Sequence, residues 1–208
     1  MDTANLILDF IESLVWPAVV MLSLLLYRND ISDAIRRLKS LATPAGNAEF
    51  AEAAGVLLDE AAATTRTVVS AGSKRGVLRR LEHATEILKG GRLLWVDDHP
   101  EGNASLIQLF RAAGMEVDTA ISTDEALSRL RMRSYDVILS DIGRQEDPGA
   151  GISMLRDLDE IGIDTPVVLY TLGFDYQRGF PRRAFAVTEA PDEVVHYVID
   201  LIERARVT

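Results

Sequence analysis

The sequence predicts an α/β protein: a doubly wound, five-stranded parallel sheet between helices, preceded by a membrane-crossing helix and a helical linker. Two observations predict the sheet. From Arg92 onward, short runs made almost wholly of apolar residues alternate with helical stretches, as a parallel sheet buried on both faces requires. Five such runs fall within about 115 residues, which suits the smaller doubly wound type. A third observation, one long apolar run near the start of the chain, predicts the membrane helix.

That run, Leu6–Tyr27, reads LILDFIESLVWPAVVMLSLLLY. As a helix it extends about 33 Å, enough to cross a bilayer core. Asp9 and Glu12 lie toward one end, and Trp16 and Tyr27 are of the type that anchors at an interface. Only Asp2 precedes the run, whereas Arg28, Arg36, Arg37 and Lys39 follow it. The positive-inside rule then has residues 7–27 span a bacterial inner membrane once, with the carboxyl-terminal bulk in the cytoplasm. No basic segment precedes the run and no small-residue cleavage site follows, so it is not read as a signal peptide.

Residues 1–28 are therefore expected to be the anchor, and residues 29–91 a juxtamembrane, coiled-coil-like linker. Ile31–Leu41 predicts a first helix, stopped by Thr43-Pro44-Ala45-Gly46. An Ala-rich helix is expected from Asn47 to about Ala71. Its Phe50, Ala54, Leu57, Ala61 and Val68 form a small-residue seam. That seam suits a homo-oligomer through residues 47–71 or packing on the chain's own neighbours. Gly72-Ser73-Lys74-Arg75-Gly76 is expected to break the pattern, which Val77–Lys89 resumes until Gly90-Gly91.

Residues 92–208 carry the sheet. Strands are expected at Leu93–Val96, Glu116–Ala120, Val137–Ser140, Val167–Tyr170 and Ala184–Val187. Helices are expected at Asn103–Ala113, from Thr123 to about Arg131, at Gly151–Ile161 and at Pro191–Arg204. Thr123-Asp124-Glu125 is a helix-start signal, and Gly114 and Gly162 are stops.

Composition narrows the function. The net charge is −10, and residues 92–208 hold 12 Arg against 21 Asp and Glu. Such an acidic domain argues against nucleic acid as a partner. The chain has no cysteine, hence no disulfide or thiolate metal site. In doubly wound sheets the site lies beyond the carboxyl ends of the strands. There the first strand ends in Asp97-Asp98, the third in Asp141 and the fourth in Thr171. Three carboxylates held together repel, and a divalent cation relieves the repulsion. Mg²⁺ suits an all-oxygen set. His99 beside the pair is expected in an exposed loop rather than as a ligand, and Ser140 as a buried strand-end residue.

These residues resemble the receiver domain of bacterial two-component response regulators, a flavodoxin-like fold. The resemblance rests on Asp97 and Asp98 in WVDDHP, Asp141 in DVILSDIG and Thr171 in VVLYT. It implies a phosphoacceptor domain rather than an enzyme. Asp141 would accept a phosphoryl group from a histidine kinase or another phosphodonor. Mg²⁺ would be bound by Asp98, Asp141 and the Gly143 backbone carbonyl, with Asp97 acting through the surrounding shell and Thr171 contacting the phosphoryl group. Phe185 would be the switch aromatic. The family's strand-five lysine is missing: residues 92–208 contain no lysine, and Val187 or Thr188 stands at its place, with Arg182 and Arg183 just upstream. The loop IGRQEDPGAG lacks the family's Met-Pro. The alternatives are a pseudo-receiver that makes protein contacts without phosphorylation, and a hydrolase on a related doubly wound fold. With no output domain after residue 92–208, signalling is expected through protein contacts or self-association.

Overall fold

The computed structural model describes residues 47–144, 147–175 and 179–207. The membrane segment expected over residues 7–27 and the helix expected after it lie outside these residues. Among the described residues, no helix is long and apolar enough to cross a membrane.

Two helices come first, α1 (Asn47–Thr65) and α2 (Ala71–Leu88). The break between them falls at residues 66–70, not at Gly72–Gly76 as expected. The reason is local chemistry. The stretch Thr64-Thr65-Arg66-Thr67-Val68-Val69 is rich in β-branched residues, which disfavour helix. Thr64 and Thr65 turn their hydroxyls back onto Glu60 O (2.9 Å) and Ala61 O (3.1 Å), and Arg66 adopts a left-handed φ of 55°. Ser70 then caps α2, its Oγ accepting the Ser73 amide at 3.1 Å. That cap, worth about 1 kcal/mol, offsets part of the roughly 1 kcal/mol that each of Gly72 and Gly76 costs the helix.

The sheet follows, with β1 (Arg92–Val96), β2 (Glu116–Ala120), β3 (Val137–Ser140), β4 (Val167–Tyr170) and β5 (Ala184–Thr188). All pairings are parallel and the order is β2-β1-β3-β4-β5. This is the flavodoxin-like order expected of the smaller doubly wound type. Helices α3 (Ala104–Ala112), α4 (Thr123–Met132), α5 (Ala150–Glu160) and α6 (Pro191–Val207) flank it, and a 3₁₀ turn at Pro100–Asn103 leads into α3. Helix α6 runs three residues beyond the expected Arg204. The alternation fails once: the described residues between β4 and β5 form no helix. Between Val167 and Val168 the β4–β5 register shifts, so that Phe185 and Ala186 both contribute to one face.

The two faces of the sheet have separate cores. Leu93, Trp95, Leu139, Val168 and Tyr170 face α3 and α6. Leu94, Val96, Ile138, Leu169 and Val187 belong to the other core, with Met154 and Leu158 of α5. The α1–α2 pair extends the first core. Ala54, Leu57, Leu58 and Ala61 of α1, with Val77, Leu81, Ala84 and Leu88 of α2, are buried in the same cluster as Trp95, Phe110 and Ile199. The described residues accordingly form one compact unit. The seam read as suited to a second copy is thus buried within the chain. Val68 lies off the helix and is 94% exposed.

Candidate functional site

Strands β1 and β3 lie side by side, Val96 opposite Ser140. The residues immediately after them therefore emerge at the same end of the sheet. One carboxylate oxygen each from Asp97, Asp98 and Asp141 falls within 4.8 Å of the others. The cleft over them has a volume of about 410 Å³ and is also lined by Thr171, Gly143 and Asn103. The site residues predicted from sequence are thus brought together.

Their environments differ. Asp97 is buried, and its two oxygens accept the His99 amide (2.7 Å) and the Asn103 Nδ2 (2.6 Å). Its lone pairs are largely committed to the protein, which fits a supporting role. The Asp98 side chain is 15% exposed and lines the cleft. The Asp141 carboxyl accepts the Ile142 amide at 2.7 Å. Burial pushes its pKa up, Asp97 adds to the rise, and hydrogen bonds from Thr171 and the Ile142 and Gly143 amides oppose it. A carboxyl so placed gains when a cation neutralises it. The donor set, carboxylates and a backbone carbonyl, is the all-oxygen chemistry that Mg²⁺ takes.

His99 is 78% exposed at its side chain and borders Asp98 and Glu101, as its loop position predicts. Ser140 is buried, donating to Asp141 O at 2.8 Å.

Among the described residues, no cation is placed at the end of β5. Thr188 is buried there, its hydroxyl donating to Glu193 at 2.5 Å. Arg183 turns away, to Asp159 (2.8 Å) and the carbonyls of Ile163 and Thr165. Arg182 is exposed. Arg183 is thus engaged away from the end of β5. Phe185 lies on the α6 face, edge-on to Tyr197 at 5.9 Å and under Arg204.

Five residues escaped sequence reading. Asn103 holds Asp97, and its place at the end of the proline-led turn gave little signal. Gly151 lets α5 begin against the Asp141 loop. Its amide bonds Ile142 O at 2.8 Å, and an added Cβ would lie 2.8 Å from Ile142 Cα. Thr64 and Thr65, from the end of α1, form part of the cleft wall, a contact between segments far apart in sequence. Arg144 is buried beneath Asp141; only its place three residues after the aspartate hinted at it.

Residues 93–179 match the response regulator receiver domain. That match contains Asp97, Asp98, Asp141 and Thr171 and stops ahead of β5. The chain is also similar to solved receiver structures. The response regulator protein TrrA from Thermotoga maritima, in complex with Mg²⁺-BeF, is 25% identical over 53% of this chain and 98% of its own, with a TM-score of 0.47. The receiver domain of the Francisella response regulator 1452 is 25% identical over 56% and 99%, with a TM-score of 0.49. The chemotaxis response regulator CheY4 of Vibrio cholerae is 20% identical over 55% and 99%, with a TM-score of 0.47. No curated protein matches this chain.

Proposed function

We propose that the chain is a membrane-tethered receiver that accepts a phosphoryl group on Asp141 and signals through protein contacts. One observation carries the reading. Asp97, Asp98 and Asp141 converge at the ends of β1 and β3, in the segment that matches the receiver family.

In this reading Asp98, Asp141 and the Gly143 carbonyl hold Mg²⁺, and Asp97 orients the surroundings through His99 and Asn103. When bound, the cation neutralises phosphoryl oxygens. Asp141 supplies the nucleophilic oxygen: an O–P bond forms as the bond to the donor, a phosphohistidine nitrogen of a kinase, breaks. Thr171 lines the same cleft as this carboxylate and would turn its hydroxyl to the phosphoryl group. The tether is residues 7–27, with the receiver on the cytoplasmic side of a bacterial inner membrane. The supports are the length of the apolar run and the basic residues only behind it.

The test is chemical. The chain is incubated with acetyl phosphate and Mg²⁺, and the acyl phosphate is trapped with borohydride. Label is expected on Asp141 and is lost in Asp141→Asn. Label on another residue overturns the assignment. A second reading has its own support in Thr188, which leaves the end of β5 without a cation. It is a pseudo-receiver that uses the same surface for fixed contacts, and it predicts no label at all.

A further inference from the structure

We propose that Arg144 is the built-in counter-charge of the acidic site. It is a buried guanidinium under Asp141 that lets three carboxylates sit together without a cation and weakens the binding of a divalent one. For the identity of that cation, Mg²⁺, the inference rests on the reading above.

Arg144 is only 4% exposed. Its Nη1 donates to Ser140 Oγ (2.7 Å) and to Asp141 O (3.2 Å), and its Nη2 to Thr123 Oγ1 (2.8 Å). All three acceptors are neutral oxygens, and among the described residues Nε finds no partner. Neutral acceptors do not offset the burial of a full charge, which costs several kcal/mol. The remaining compensation is Coulombic. Burial depresses the guanidinium's pKa, and Asp141, Asp97, Asp98 and Asp147 hold it up; an arginine remains charged in any case. Three of these four carboxylates are the acidic cluster.

The charge is also fixed in place. The backbones of Arg144 and Asp147 pair in both directions, at 3.0 and 2.9 Å. Gly151 N holds Ile142 O on the same loop. Arg144 lies on the α4–α5 side of the sheet, against Thr123 and Met154, and does not line the cleft. It is therefore a positioning residue. It acts through its field and through the Asp141 carbonyl, and it does not occupy the place of an ammonium above the phosphoryl group.

A fixed positive charge bonded to the Asp141 carbonyl should weaken Mg²⁺ binding by about tenfold, the order that Coulomb's law gives for a unit charge and a divalent cation several Å apart under water-like screening. The experiment is calorimetric titration of Mg²⁺ into the detergent-solubilised full chain, with thermal melts in EDTA and in Mg²⁺. Arg144→Met, of similar length and uncharged, should bind Mg²⁺ about tenfold more tightly. It should melt lower in EDTA and recover in Mg²⁺. Arg144→Lys, which keeps the charge, should stay within about twofold of wild type in affinity. A folded Arg144→Met with unchanged Mg²⁺ affinity overturns the proposal and leaves the arginine a structural staple. If Arg144→Met does not fold in EDTA, Mg²⁺ or the added change Asp98→Asn must restore it; recovery by neither overturns the proposal. If Mg²⁺ binds no form, the melts decide alone: Asp98→Asn must raise the melting temperature of Arg144→Met more than that of wild type. No phosphodonor is present, so failure of the phosphoacceptor reading leaves these outcomes intact.

Discussion

The two faces of the sheet solve the same burial problem differently. The face of Trp95 and Tyr170 carries two layers of helix: α3 and α6 against the strands, then α1 and α2 across them. Its interior is largely apolar; Asp192 at the start of α6 is buried and takes the Ser73 hydroxyl of α2, while other charges sit at the rim. There Arg80 meets Asp200 and Glu203, all partly exposed, where ion pairs contribute about 0–1 kcal/mol. The face of Leu94 and Ile138 has a single layer, α4 and α5, and no helix among the described residues between β4 and β5. Here a charge lies inside, as Arg144. The thick face is mainly a packing surface. The thin face ends at the acidic cluster, where Arg144 bonds the Asp141 carbonyl. Stability should therefore reside in the first face and electrostatic control in the second.

The largest effect that would break this contrast is in the outer layer. Leu81 of α2 is fully buried. Leu81→Ala should cost about 3 kcal/mol, within the range for a buried leucine truncation. Urea unfolding should show one transition in which helices and sheet melt together. A loss under about 1 kcal/mol would mean that α1 and α2 are a loose cover, and the two faces would then be equivalent.

A smaller effect tests the acidic end. Burial raises the Asp141 pKa in the folded chain, so the native state keeps its proton to higher pH than the unfolded state. The stability from this group is full below the unfolded carboxyl value, about 3.9, and is lost as pH rises through the raised folded value. In EDTA, Asp141→Asn should therefore be more stable than wild type at neutral pH. The advantage should vanish below about pH 4. Thermal melts across that range check it; a constant difference at all pH values would show that packing, not charge, sets the cost of this residue.

The smallest effect concerns Tyr170, where the thick face meets the cleft. Its ring stands edge-on to Trp95 at 6.1 Å. Burial pushes its hydroxyl up to about 12. Thr65 lies against it but spends its own hydroxyl on Ala61 O. Among the described residues the tyrosine oxygen has no partner of ordinary hydrogen-bond geometry. Tyr170→Phe removes an unsatisfied buried group and should change stability by no more than about 0.5 kcal/mol, toward higher stability if at all. A loss above about 1 kcal/mol in urea would mean that Thr65 and Tyr170 share a real bond, tying α1 to the strand that carries Thr171.

The strands were legible because each is a short apolar run with little ambiguity of period. Val137–Ser140 and Val167–Tyr170 have the bounds expected of them. The ends of α1 and α2 were not legible. Glycine spacing pointed to Gly72–Gly76, whereas threonine back-bonding and the Ser70 cap, effects of single side chains, decided the break. The acidic triad could be located because strand ends in a parallel sheet share an edge. Asn103 and Arg144 could not, since nothing local says which way a loop side chain turns.

By itself, the sequence determined the sheet, its order of elements and the meeting of Asp97, Asp98 and Asp141 with Thr171. Those follow from periodicity and from the geometry of parallel strands, which depend on nearby residues. Only the tertiary structure decided what covers the seam of α1, that Arg183 faces away from the site, and that a guanidinium lies beneath Asp141. Those depend on which surfaces remain uncovered after the sheet has formed. A small-residue helix face fits a second copy or its own domain equally well until the other surface, here α2 and α3, is in place beside it.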